Sequence, residues 1–407
     1  RTNYIYEIDL NEKDKNFKIK NFKKIKYFVY DKKDILDKNL NQASIADVEK
    51  GLLLSGGIDS TCLLCCTKNK NTKLESFIID NTPSESSGFS SQEIEYASHY
   101  SESMGIKRNI INKDQISSKE LKEIFKIIDT PAEVTGALAL YLICKKIKLK
   151  NPGIRVLLSG VGADEIFFGY RGHLLAIFIG IIPKQLQSLF KYLIMILFKI
   201  IPKSYASFFR RASVIKNVLD AENSTKDASL HAFAKMDEKS LNRWRECFPL
   251  FRTNKNYAVP KLYYERCFDY FLSQQHLPAY DRISMFFSIE LRVPFLQNRI
   301  KYSNQINGII DLIYKSITRK NKLKKLIRKK LKTRYQPITK SGFGTYPNIL
   351  SQDGFDYVNT LIQYGNKNRW INESSRFESS MNLRLFYHLI NKAHFVYLLK
   401  LINKDKF

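Results

Sequence analysis

The chain has 407 residues, 44% of them hydrophobic and 13% aromatic. That is enough apolar material for a large core, which excludes global disorder, and at roughly 150 residues per domain the length predicts two or three domains. Six cysteines in so long a chain do not make a disulfide scaffold and fit a reducing compartment. The net charge of +28 is Lys-heavy and comes with abundant Ile, Asn, Phe and Tyr. We read it as an AT-rich coding bias, so a nucleic-acid partner is not the expectation.

In chain order, residues 1–45 read as short strands with polar turns, at 4–8 and 25–29, a β remnant or linker too small to fold alone. Residues 46–172 alternate apolar runs with amphipathic stretches. Strands are predicted at 51–54, 76–79, 108–111 and 155–158, and helices at 60–67, 92–104, 119–128 and 136–147. This alternation predicts an α/β fold with a parallel sheet covered on both faces, whose ligands sit beyond the C-terminal strand ends. Residues 173–407 read as a mostly helical C-terminal region, with helical patterns over 205–245, 260–276, 298–334 and 380–403. The longest clean apolar run, 174–182, is too short to span a bilayer. No signal-peptide core is visible near the start.

Two motifs follow predicted strands. Ser55-Gly56-Gly57-Ile58-Asp59-Ser60 opens a helix: its glycines let the backbone approach an anion, and the helix N-terminus with the two serine hydroxyls can donate to phosphate oxygens. Asp59 would repel phosphate without an intervening cation, so it predicts Mg²⁺. The loop has no Walker lysine. Ser159-Gly160-Val161-Gly162-Ala163-Asp164-Glu165, continuing to Phe167, Gly169 and Tyr170, supplies a second hard oxygen ligand. Asp59 and Asp164, on two strand ends, are predicted to hold Mg²⁺ on one polyphosphate. A third block, residues 281–296, sets Asp281, Arg282, Glu290 and Arg292 among apolar residues, where charges need partners.

Together these blocks, in this order, resemble the synthase domain of the asparagine synthetase family over roughly residues 45–345. That family includes β-lactam synthetases, lasso-peptide cyclases and stand-alone amidotransferases of surface-polysaccharide loci. The resemblance implies the PP-loop ATP pyrophosphatase fold and an ATP- and Mg²⁺-dependent reaction. A carboxylate is adenylated, pyrophosphate leaves, and ammonia or an amine attacks. It makes Ser55, Gly56, Gly57, Asp59 and Ser60 the pyrophosphate loop and places Leu53, Leu54 and Ile79 beside the adenine. Ser159 and Gly160 would contact the nucleotide, and Asp59 and Asp164 the metal. Asp129-Thr130-Pro131 resembles the family's Asp-x-Pro turn near the substrate pocket. Lys324 matches the lysine that stabilises charge on the reacting phosphate, and Lys340, in Lys340-Ser341-Gly342-Phe343, a lysine that touches phosphate. Residues 315–334 hold eleven Lys or Arg, so the lysine match rests on register within a dense basic run.

The match departs at the acceptor side. Val161 stands where asparagine synthetases have Glu and β-lactam synthetases Tyr, and valine cannot position or deprotonate an attacking nitrogen. Glu290 is the remaining candidate base or substrate contact. Gln297 replaces the usual Asp after Pro294-Phe295-Leu296. The acceptor is therefore open to a sugar acid or peptide carboxylate. Residues 3–9 resemble the closing strands of the family's glutaminase domain, with no cysteine nucleophile before them. The chain is then a fragment or a remnant, needing free ammonia, a separate glutaminase or an amine of the substrate.

Two other readings compete: a PP-loop tRNA-modifying enzyme, which lacks the second and third blocks, and a non-catalytic family member. Cys62, Cys65 and Cys66 read as small buried helix residues, not as cluster ligands. His173 reads as a cap or surface residue as well as a cleft residue. Residues 186–201 read as a basic amphipathic helix, facing either the core or an anionic membrane surface.

Overall fold

The computed structural model describes residues 4–10, 17–24, 35–67, 73–79, 90–111, 114–130, 132, 134–170, 186, 192, 272–273, 275–297, 313–315, 317–331, 349–371 and 383–402. The expected helix over 205–245 lies outside these residues, as do Pro131, His173, Lys340 and most of 186–201; Leu186 and Tyr192 are helical and exposed.

Strands β1 (Tyr4–Leu10) and β2 (Phe17–Lys24) form an antiparallel ribbon. The second sheet has five parallel strands: β3 (Glu49–Leu53), β4 (Leu74–Ile79), β5 (Lys107–Ile111), β6 (Ile154–Leu158) and β7 (Glu290–Arg292), in the order β5-β4-β3-β6-β7. From β3 the chain builds outward through β4 and β5, then returns to place β6 on the other side of β3. The loops after β3 and β6 therefore diverge at a crossover point, where an open parallel sheet leaves a crevice for a ligand.

Successive residues of a strand face opposite sides, and the core follows that period. Leu53, Phe77 and Leu157 pack into one apolar cluster, with residues of α4 (Ser118–Ile127), α5 (Thr135–Lys150), α7 (Leu277–Phe286), α9 (Gln352–Lys367) and α10 (Leu383–Ile402). Leu52, Leu54, Ile78, Val156 and Leu158 pack into the other, with α1 (Ile35–Ala43), α2 (Ile58–Thr67), α3 (Ser90–Ser103), α6 (Ala163–Ile166) and α8 (Asn321–Leu331). Both faces of the central strands β3, β4 and β6 are thus covered.

Four elements differ from the sequence reading. The second strand of the N-terminal ribbon is β2 at Phe17–Lys24, and the expected strand at 25–29 lies outside the described residues. Residues 35–43 are helical, because Leu36 and Leu40, four apart, dock on the second cluster. Residues 290–292 form the edge strand β7, paired with Val156–Leu158 of β6, although three residues are too few for a periodic signal. Residues 352–367 form α9, whose Phe355, Val358, Leu361 and Ile362 face the first cluster.

Candidate active site

The loop between β3 and α2 begins at exposed Ser55 and ends in the buried first turn of α2. Ser60 Oγ lies 3.2 Å from Ser55 Oγ and donates to the Gly57 carbonyl at the same distance. It also accepts from the Ser55 backbone N–H at 3.2 Å. Gly56 has left-handed backbone, with φ of 67°. The loop is therefore held in shape by its own hydrogen bonds. The loop after β6 packs directly against it: a Cβ on Gly160 would lie 3.1 Å from Asp59 Cβ and 3.2 Å from the Ser60 nitrogen. Ser159 is buried, and its N–H bonds the Arg292 carbonyl at 2.9 Å, tying β7 to this corner.

Asp59 and Asp164 share one cation. Lys320 Nζ lies 2.7 Å from Asp59 Oδ2 and 2.5 Å from Asp164 Oδ1. Lys320 is 9% exposed. Burial works against its charge, yet the two aspartates outweigh burial and hold its pKa above the ordinary lysine value. The lysine reaches this position from outside the first two motifs. Its N–H bonds the Phe167 carbonyl at 3.1 Å, and its backbone is left-handed at φ 55°. Directly after it, α8 lays Leu323 and Ile327 into the second cluster beside Cys62 and Cys66 of α2. The two helices run parallel, since Lys320 meets Asp59 at one end while Lys330 acts on Cys65 at the other.

Lys320 is the residue that sequence reasoning missed. Lys324, the expected lysine, lies one helical turn further on, is exposed, and is not brought to the aspartates; its N–H bonds the Lys320 carbonyl at 3.0 Å. The signal for Lys320 was present in the same basic run, but nothing local separated it from ten neighbours.

Other expected residues fall as follows. Leu53 and Leu54 are buried in opposite clusters, which leaves their backbone at the strand end, where the Leu54 N–H bonds the Phe77 carbonyl at 2.9 Å. Ile79 is the last residue of β4. Glu290 is exposed and clasped by Arg292 at 2.8 and 2.9 Å. That guanidinium holds the Glu290 carboxyl below the usual range, which makes it a weak base. Arg292 also donates to the Ile45 carbonyl at 2.6 Å, before β3. Arg282 grips the turn after α4, with Nη2 2.9 Å from Asp129 Oδ1 and Nη1 2.9 Å from Thr130 Oγ1. Because α5 descends from this turn to the start of β6, the turn lies on the strand-end side with the loops. Val161 is half-buried against both clusters. Glu165 is buried, takes a 2.6 Å bond from the Tyr170 hydroxyl, and is pushed up by burial. Cys62, Cys65 and Cys66 are buried free thiols; burial pushes Cys65 up to about 12.

The donor set bears on the expected metal. Asp59 and Asp164 are hard oxygen donors already placed to share one cation, as magnesium on a polyphosphate requires. Among the described residues, no group of three or more His, Cys, Asp or Glu could hold a metal ion unaided. The residues fit a metal that brings phosphate oxygens with it.

The family model for asparagine synthase matches residues 32–388, which takes in both strand-end loops, residues 281–296 and α8. The chain belongs to the asparagine synthase family. A Mycobacterium bovis protein described as "Putative asparagine synthetase (glutamine-hydrolyzing)" is 28% identical over 286 residues, covering 65% of this chain and 40% of that protein. Asparagine synthetase (glutamine-hydrolyzing) 1 of Bacillus subtilis is 32% identical over 140 residues, covering 34% of this chain and 21% of that protein. The second asparagine synthetase of the same organism is 27% identical over 143 residues, covering 34% and 18%. The chain thus spans about two fifths or less of the length of these asparagine synthase relatives. Among the described residues of this family member, no helix is long and apolar enough to cross a membrane.

Proposed function

We propose that the chain carries out ATP-dependent, AMP-forming amidation of a carboxylate. A carboxylate oxygen attacks the α-phosphorus of ATP, the bond to the β-phosphate breaks, and pyrophosphate leaves. A nitrogen then attacks the acyl carbon, loses a proton and expels AMP. The observation that carries this reading is the shared cation position between Asp59 and Asp164, at the sheet crossover of an asparagine synthase family member.

In this reading Ser55, Gly56, Gly57 and Ser60 cradle the pyrophosphate, and Ser159 and Gly160 border the nucleotide opposite. Asp59 and Asp164 hold Mg²⁺, which, when bound, offsets negative charge on the departing pyrophosphate. The Lys320 ammonium, Lys340 and Lys324 are the cations available to the same charge. Val161 offers the incoming nitrogen only an isopropyl group, so the acceptor side differs from asparagine synthesis proper, and we favour a sugar-acid or peptide carboxylate. Ammonia or an amine of the substrate supplies the nitrogen. The need for ATP and the buried free thiols support a cytoplasmic setting, and the basic, apolar pattern of the sequence over 186–201 suits peripheral contact with an anionic membrane.

The test is exchange of labelled pyrophosphate into ATP across a panel of aspartate, uronic acids and acidic peptides. One carboxylate should support exchange, and Asp59→Ala should abolish it. Exchange surviving in Asp59→Ala would reject the metal assignment. No exchange with any carboxylate, despite tight Mg-ATP binding, would favour a non-catalytic role.

A further inference from the structure

We propose that Lys320 is a resident counter-ion that holds the cation position between Asp59 and Asp164 until Mg-ATP arrives, then yields it and pairs with the phosphates. The proposal rests on the amidation reading and deepens it, by giving the chain a means to bind metal only together with nucleotide.

The argument begins with charge. Two carboxylates facing one crevice repel each other, and burial makes an uncompensated charge there costly. Asp59 is buried and Asp164 partly so, yet each has an oxygen within 2.7 Å of the same ammonium. The chain therefore carries a cation of its own for this position, offsetting part of the charge of the two carboxylates. A bare divalent ion would have to expel Lys320 and then complete its shell with water, because no third metal-binding side chain joins the two aspartates among the described residues. Magnesium demands a near-octahedral shell and gives up water reluctantly. The exchange becomes favourable when the nucleotide brings both phosphate oxygens for the metal and negative charge for the displaced ammonium.

The local backbone suits such an exchange. The Lys320 N–H is fixed to the Phe167 carbonyl, and α8 is anchored immediately after it by Leu323 and Ile327. The Cα stays in place while a flexible four-carbon stem can re-aim its charge. Its destination is close, because Asp59 lies in the first turn of α2, whose N-terminus faces any anion seated on the Ser55–Ser60 loop. Gly169 leaves the stem its space: a Cβ there would lie 2.4 Å from Lys320 Cε.

The experiment is a titration with Mn²⁺, read by the paramagnetic resonance signal of the free ion, on the full chain without nucleotide. Wild type should bind Mn²⁺ weakly. Lys320→Met, which removes the resident charge at similar volume, should bind it at least about tenfold tighter, since only the competing ammonium has gone. Lys320→Arg keeps a cation and should behave as wild type. Equal affinity in wild type and Lys320→Met would overturn the proposal. So would tight Mn²⁺ binding by nucleotide-free wild type, which needs no variant to fold. Repeating the titration with a non-hydrolysable ATP analogue, read against the same analogue without protein because the triphosphate itself chelates Mn²⁺, separates the two levels. If wild type binds Mn²⁺ with the analogue but Lys320→Met gains nothing without it, the exchange alone is rejected. If wild type does not bind Mn²⁺ even with the analogue, the amidation reading and the exchange fall together.

Discussion

A Cβ atom on Gly169 would stand 1.7 Å from Asp164 Oδ1, well inside any contact distance. Gly169 N–H also bonds the Asp164 carbonyl at 2.8 Å, closing a tight turn after α6. The glycine is the gap through which Asp164 reaches Lys320. Gly169→Ala should therefore push the carboxylate or the lysine aside and cost about 1–3 kcal/mol as an overpacked site. Denaturant titration measures that cost, and Mg-ATP affinity measured alongside should fall; unchanged values in both would mean the turn is looser than it stands here.

Leu323 is fully buried where α8 meets α2. Leu323→Ala should destabilise the protein by about 2–5 kcal/mol. Because this packing also sets where Lys320 emerges, nucleotide affinity measured well below the unfolding midpoint should drop as well. A pure stability loss with wild-type affinity would separate α8 packing from the site.

Glu290 is the weaker of the two catalytic expectations. Its carboxylate is exposed and already occupied by Arg292. Glu290→Gln should cost no more than about 1 kcal/mol of stability, as exposed pairs do. Pyrophosphate exchange should continue at near wild-type rate. Loss of exchange with unchanged Mg-ATP binding would restore Glu290 as a substrate contact or base.

His394 predicts the acid limb of stability. It is buried, its Nε2 lies 2.7 Å from the Ile128 carbonyl, and burial pushes its pKa from 6.5 down to about 4. Between those values the unfolded chain takes up a proton that the folded chain refuses, so stability falls as pH falls. The loss begins near pH 6.5 and is complete near pH 4, amounting to roughly 3 kcal/mol. His394→Gln keeps a donor for the carbonyl and removes the titration. Its stability, measured by denaturant titration from pH 7 to 4, should decline less than that of wild type, and parallel profiles would contradict the assignment.

β3, β4 and β6 were legible because each ends in a buried apolar run closed by a turn or by Ser-Gly, and β5, an exposed edge strand, showed only through its Ile110-Ile111 pair. The two aspartates stood out because each lies where a strand-end loop enters a helix, and the fold brings them together across Lys320. β7 was not legible, since Glu290, Leu291 and Arg292 become a strand only by pairing with β6. α9 was hidden by Gly354 and Gly365, which lower helix propensity; in the fold Gly365 gives Val396 room to pack, as a Cβ there would lie 2.5 Å from Val396 Cγ2. Lys320 and Lys324 are four apart and equivalent by spacing. What distinguishes them is tertiary: Lys320 sits just before α8 in left-handed backbone, tied to Phe167.

The most direct measurement is calorimetric titration of ATP with and without Mg²⁺ into wild type, Asp59→Asn and Asp164→Asn. If the two carboxylates jointly hold the metal on the triphosphate, wild type binds ATP far more tightly with Mg²⁺, and each variant loses about tenfold or more of that gain. Either variant binding Mg-ATP as tightly as wild type would contradict it.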